Sequence, residues 1–197
     1  HLSIRRQRQM CIRDRYKDIA DVNGNTDNVI NTNDRVAMGY PTVPEIIYGF
    51  GPSIKFKNLD FSFFFQGAAR TSLMMSGFHP FVGNSNTARR GVLDFVAENC
   101  WTTTNPNEFA KYPRLTSKDN LNNNQNSSYW LRDASFLKLK NAEIGYTIKN
   151  MRFYISGSNL LTISSFKLWD PEMGGGSGMK YPTQRTINFG FQMTINN

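Results

Sequence analysis

The chain has 197 residues, of which 39% are hydrophobic, 13% aromatic and only 19% charged, enough for one or two ordinary domains. No run of about 18 apolar residues occurs, so a transmembrane helix is excluded. The formal charge of +8 would suit nucleic acid, but residues 1–15 carry Arg5, Arg6, Arg8, Arg13 and Arg15 against Asp14 alone, so +4 of it is confined there and the rest is mildly basic.

That first segment, HLSIRRQRQMCIRDR, begins with His and lacks the apolar centre of a signal peptide. Its composition departs from all that follows. It reads as a non-native segment, a translated adaptor sequence, rather than a natural basic arm, and it carries no fold information. Cys11 lies within it and Cys100 is the only other cysteine, so neither a disulfide framework nor a metal-binding cysteine pair can be assembled.

Next along the chain, Asp21, Asn23 and Asn25 have the alternating oxygen spacing of a calcium loop, with Asp27 as a further ligand. Thr26 stands where the turn-forming glycine belongs, and Thr32 where the bidentate glutamate belongs. A solvated Asx-rich turn is the better reading of this stretch and calcium the weaker one.

Five stretches alternate as strands do, at about 46–56, 59–66, 131–148, 151–160 and 184–195. In the first, Tyr48, Phe50, Pro52, Ile54 and Phe56 share a face, with Pro52 marking an irregularity. The second sets Leu59, Phe61, Phe63 and Phe65 against Asp60, Ser62, Phe64 and Gln66. In the third, the apolar phase slips by one residue near Lys140 and Asn141, as a β-bulge would make it do. The fourth sets Met151, Phe153 and Ile155 against Arg152, Tyr154 and Ser156. The fifth sets Ile187, Phe189, Phe191, Met193 and Ile195 against Thr186, Asn188, Gly190, Gln192 and Thr194. The apolar face carries no charge in any of the five, while the opposite face holds Lys55, Asp60, Lys138, Lys140, Glu143 and Arg152. A membrane barrel requires such a face, because a lysine or arginine at the midplane on the lipid side costs roughly 2–4 kcal/mol. A secreted antiparallel β-sandwich that binds carbohydrate, its apolar faces packed together, is the alternative.

Connections discriminate between the two. Lys57-Asn58 and Lys149-Asn150 are two-residue turns, whereas 67–130 and 161–183 are long links rich in Asn, Gly, Ser and Pro. Short turns on one side and long loops on the other are the outer-membrane barrel pattern, with turns in the periplasm and loops outside the cell. Five strands fall short of the roughly eight needed for closure, so the chain is expected to be a fragment whose missing part is N-terminal.

Ordered motifs go further. YKDIADVNGN, the Asn33-Asp34-Arg35 turn, YGFGPSIKFKNLDFSFFFQGAA, CWTTTNPNEFAKYPRL, SSYWLRDASFLKLKNAEIGYTI, RFYISGSNLLTISSFKLWDPE and YPTQRTINFGFQMTI follow one another over 16–197. In that order and spacing, the chain resembles the C-terminal part of SusC/RagA-type TonB-linked outer-membrane receptors. The resemblance implies an all-β fold of antiparallel strands from the C-terminal part of a large transmembrane β-barrel, of about 22 strands, with long extracellular loops. It also implies a location in the outer membrane of a Gram-negative bacterium and TonB-dependent import of oligosaccharides or peptides. The implied partners are a SusD-like surface lipoprotein, the TonB complex through an N-terminal region absent from this sequence, and outer-membrane lipid. Nucleic acid is not among them. Two features depart from the family pattern: the chain ends Asn196-Asn197 rather than in an aromatic residue, and the acidic loop lacks the D-x-N-G-D-G form.

Trp101, Tyr112, Arg114, Trp130 and Trp169 in the long loops offer flat faces and donors suited to sugar rings or peptide, and are the substrate-contact candidates. Girdle anchoring or loop packing is the stronger reading of each aromatic. Arg132 and Asp133 are expected to pair within the wall. His79 is the only histidine after His1, and Glu98 and Glu108 have no partner signature, so no catalytic triad or zinc cluster can be built and no enzyme activity or cofactor is expected.

Overall fold

A computed structural model of the chain describes residues 28–29, 34–75, 94–104, 106, 110–112, 126–178 and 180–195. The described strands are β1 (Ile46–Phe50), β2 (Ser53–Phe56), β3 (Leu59–Ala69), β4 (Ser72–Met74), β5 (Leu131–Asp133), β6 (Phe136–Ile148), β7 (Met151–Ser164) and β8 (Thr186–Met193). One short helix, α1 (Asp94–Glu98), and a 3-10 turn over Pro171–Met173 complete the regular structure of the described residues.

The chain divides into two units, one made of 1–38 and 76–131, the other of 39–75 and 132–197. The second unit contains an antiparallel sheet ordered β1-β3-β6-β7-β8, in which β2 also pairs with β3. β1 takes the far half of β3 (Ile46 opposite Ala69, Phe50 opposite Phe65), and β2 takes the near half (Ser53 opposite Ser62, Phe56 opposite Leu59). Gly51 and Pro52 separate them. Proline cannot donate to the ladder, and a Cβ on Gly51 would lie 2.5 Å from the Phe63 carbonyl oxygen. The expected strand at 46–56 is therefore two strands in one register.

Both short turns form as two-residue hairpins, with Lys57 at φ 54° and Lys149 at φ 51°. In each, the second residue ties the hairpin to the next strand. The Asn58 carbonyl accepts from Thr147 N at 2.8 Å, and the Asn150 carbonyl accepts from Thr194 N at 2.9 Å. The register shifts between Leu139 and Asn141, where the sequence phase slips. Against β3, β6 carries the extra residue, Lys140; against β7, the extra residue lies in β7, where Asn159 adopts φ 53°.

These registers align one outer row across the sheet. Ile46, Tyr48, Phe50, Ile54 and Phe56 meet Leu59, Phe61, Phe63 and Phe65; beyond them run Leu137, Leu139, Ala142, Ile144 and Tyr146, then Phe153, Ile155, Leu161 and Ile163, then Ile187, Phe189, Phe191 and Met193. No charged side chain belongs to the row. Many of its residues are widely exposed, Phe56 at 68%, Ile155 at 45% and Phe189 at 80% among them. The buried apolar side chains, such as Leu73, Met75, Val96, Trp130 and Phe166, lie elsewhere. The packed sandwich expected under the alternative reading would cover this row.

Candidate functional site

The opposite face of the sheet is polar and carries two ionic clusters. Near the hairpin turns, Arg152 on β7 reaches across β6 to Asp60 on β3. Its Nε donates to Asp60 Oδ1 at 3.0 Å and its Nη2 to the other Asp60 oxygen, a bidentate pair. Nη2 also donates to Glu143 at 2.6 Å and Nη1 to Gln192 at 3.3 Å, so one guanidinium links β3, β6, β7 and β8. The cation lies 4.9 Å from the centre of the Tyr154 ring. Register makes this reach possible, because Asp60 stands opposite Gly145 and Gly145 opposite Tyr154. A Cβ on Gly145 would sit 2.6 Å from Arg152 Nη2 and 2.7 Å from each Asp60 oxygen.

At the other end of the same face, Lys138 of β6 is completely buried. Its Nζ donates to Asp170 and, at 2.7 Å, to Glu172, both in the long link between β7 and β8. Lys140 takes the second Glu172 oxygen. Asp170 also accepts from the Thr183 hydroxyl and, at 3.1 Å, from Glu172 N, where it caps the 3-10 turn. Burial pushes the Asp170 carboxyl up, but hydrogen bonds from Lys138, Thr183 and Glu172 N outweigh it and hold the group below the ordinary aspartate range. Glu172 behaves likewise: burial opposes ionisation, and Lys138 and Lys140 reverse the balance.

Trp169 packs into the same link. Its ring meets Phe166 edge-on at 4.6 Å between centroids, and its Nε1 donates to the Gly174 carbonyl at 3.0 Å. In the first unit, Trp101 and Tyr112 come together at an isolated parallel bridge between Cys100 and Tyr112, Trp101 N donating to the Tyr112 carbonyl at 3.3 Å. Tyr112 is buried and Trp101 half-buried. Trp130 is also buried, with Tyr129 edge-on to it at 4.6 Å. Asp133 accepts from Ser135 N at 2.9 Å, from the Ser135 hydroxyl at 2.6 Å and from Ser165 at 3.2 Å. Arg114, the calcium candidates Asp21, Asn23, Asn25 and Asp27, and also His79 and Glu108, lie outside the described residues.

Asp60, Lys138, Lys140, Glu143 and Arg152 were visible in the sequence only as charges on the face opposite the apolar row, and Asp170 and Glu172 only as part of a motif in a long link. Their grouping was not, since Arg152 and Asp60 are 92 residues apart and Lys138 and Asp170 are 32 apart. Two lysines on one face of β6, facing a link that contains Asp-Pro-Glu, are the signal that could have found the second cluster.

An antiparallel sheet with an exposed, charge-free apolar face backed by a polar face of paired ions has the construction of a transmembrane β-barrel wall. The chain is 32% identical over 195 aligned positions to a TonB-dependent receptor of Formosa agariphila, across 87% of this chain and 19% of that protein. It is 25% identical over 200 aligned positions to TonB-dependent receptor SusC of Bacteroides thetaiotaomicron, across 90% of this chain and 19% of that one. The RagAB peptide importer in its open-open state has the same fold, with a TM-score of 0.67 at 23% identity over 89% of this chain and 20% of that chain. No family model matches. The chain is SusC/RagA-type TonB-dependent receptor sequence, and it spans about a fifth of the length of the curated relatives it matches.

Proposed function

We propose that this chain forms part of the barrel wall and outer loops of a nutrient receptor in the outer membrane of a Gram-negative bacterium. The receptor imports oligosaccharides or peptides with energy delivered through TonB, and a SusD-like lipoprotein shares its outer chamber. The observation that carries this reading is the outer row of the sheet. It runs from Ile46 to Met193 through every strand of the larger sheet, most of its large side chains are exposed, and it contains no charge. Water would drive such a face under cover; lipid is the solvent it suits. The two relatives and the importer support the choice of class, and the peptide named for RagAB supports one of the two substrate classes. The polar face then lines the lumen, and of the aromatic candidates the half-buried Trp101 and Trp169, with Arg114, remain proposed to border substrate, while Tyr112 and Trp130 are buried.

The test is expression of the full-length gene product with an epitope tag at its own locus. Recovery in the outer-membrane fraction, release only by detergent and copurification of a SusD-like lipoprotein are the expected results. Recovery in a soluble fraction without detergent overturns the wall reading.

A further inference from the structure

We propose that residues 166–178 form a fixed ionic strap on the lumen face, rather than a lid that opens, and that Lys138 is the positioning residue that seats it. The strap is fastened at separate points of one unit. Lys138 and Lys140 hold Asp170 and Glu172 in its middle. Beyond them, Gly176 N donates to the Met74 carbonyl at 2.9 Å, and Gly175 lies so close to Met74 that an added Cβ would be 2.7 Å from that same oxygen. On the return path, the Asn159 amide at the β7 bulge donates to the Gln184 carbonyl at 3.0 Å. Inside the strap, Phe166 is buried against Trp169, the indole N–H is satisfied by Gly174, and Lys180 donates to the Met173 carbonyl at 2.8 Å.

A lid needs an element that can separate from its seat at small cost. This one has two cations matched by two carboxylates, one cation wholly enclosed, and a backbone bond from Gly176 to Met74, all of which would have to break together. The inference rests on the receptor reading for what the strap borders: it assigns this link to the static rim of the chamber, so that any closure on substrate belongs to other segments.

Hydrogen exchange on the full-length receptor purified in detergent tests it. In the native protein, amides of 166–178 are expected to be protected comparably to β7. Lys138→Met should speed their exchange at least tenfold while the heat-modifiable gel mobility of the folded barrel is unchanged, and Lys138→Arg should restore most of the protection. Lys140→Met, which removes a half-exposed partner of the same Glu172, should change it less than threefold. Fast exchange in the native protein, or no change in Lys138→Met, overturns the proposal. Should Lys138→Met fail to insert, Glu172→Gln with Thr183→Val loosens the strap from its own side, and unchanged exchange there overturns it equally. Failure of the receptor reading is read separately, by fractionation, since strap exchange can be measured whichever fraction holds the protein.

Discussion

The two ionic clusters on the polar face use the same arithmetic, a cation between two carboxylates, and do different work with it. Arg152, Asp60 and Glu143 are each about a quarter to a third exposed, and all three sit on strands already joined by backbone ladders. Lys138 is enclosed, and its carboxylates come from a link with no ladder to hold it. The planar guanidinium is suited to the first task because its fork engages Asp60 by two parallel bonds while a third nitrogen contact reaches Glu143. The flexible, compact ammonium suits the second, since it can be covered. The contrast teaches that ion pairs in this wall either reinforce a sheet that would form anyway or create a tertiary contact that would not.

Removing each cation should separate the two roles. Lys138→Met leaves the part-buried Asp170 without its counterion and Glu172 with Lys140 alone, which should cost about 3 kcal/mol of unfolding free energy, at the lower end for a broken buried pair. Arg152→Met leaves its carboxylates within reach of water and should cost about 1.5 kcal/mol, the scale of charge-assisted hydrogen bonds. Urea unfolding of the folded receptor, followed by tryptophan fluorescence, checks the order. Equal losses would mean that enclosure is not what distinguishes the clusters. Gly145→Ala should follow at about 1 kcal/mol, because the new methyl displaces only the ends of flexible side chains. Asp60→Asn combined with it should then cost less than the sum of the two single changes, and strict additivity would show that Gly145 is not the passage for the pair.

The sheet was far more legible in the sequence than either cluster. Alternation revealed the outer row because the row is apolar without exception, and the two Lys-Asn turns revealed the hairpins because so few residues separate the flanking runs. Strand ends were harder to read. β3 continues through Gly67, Ala68 and Ala69, which have no side chain large enough to declare a face, and β7 runs on to Ser164 past the bulge, where Gly157, Ser158 and Asn159 interrupt the apolar alternation that Leu161 and Ile163 resume on the same face. The stretch read as one strand from 131 breaks at Ala134 and Ser135, where Asp133 turns back to bond Ser135. Trp169 illustrates the limit in the loops: its type suggested a flat binding face, yet its packing on Phe166 and its bond to Gly174 depend on a local fold for which a short irregular link has no periodic signature.

The smallest effect expected is that of mild acid on the strap. Asp170 and Glu172 both have carboxyl groups held below their ordinary range when folded. For groups depressed in this way the contribution to stability is fully present above the unfolded-state value of about 4 and is lost as pH falls through the lower folded-state value. The groups facing these carboxylates are Lys138, Lys140 and the Thr183 hydroxyl. Protection of 166–178, corrected for intrinsic exchange, should therefore be flat from pH 7 to about 5 and decline only below about 4. A loss centred between pH 6 and 7 would require a titrating group other than these carboxylates, and would return the link to the class of elements that move.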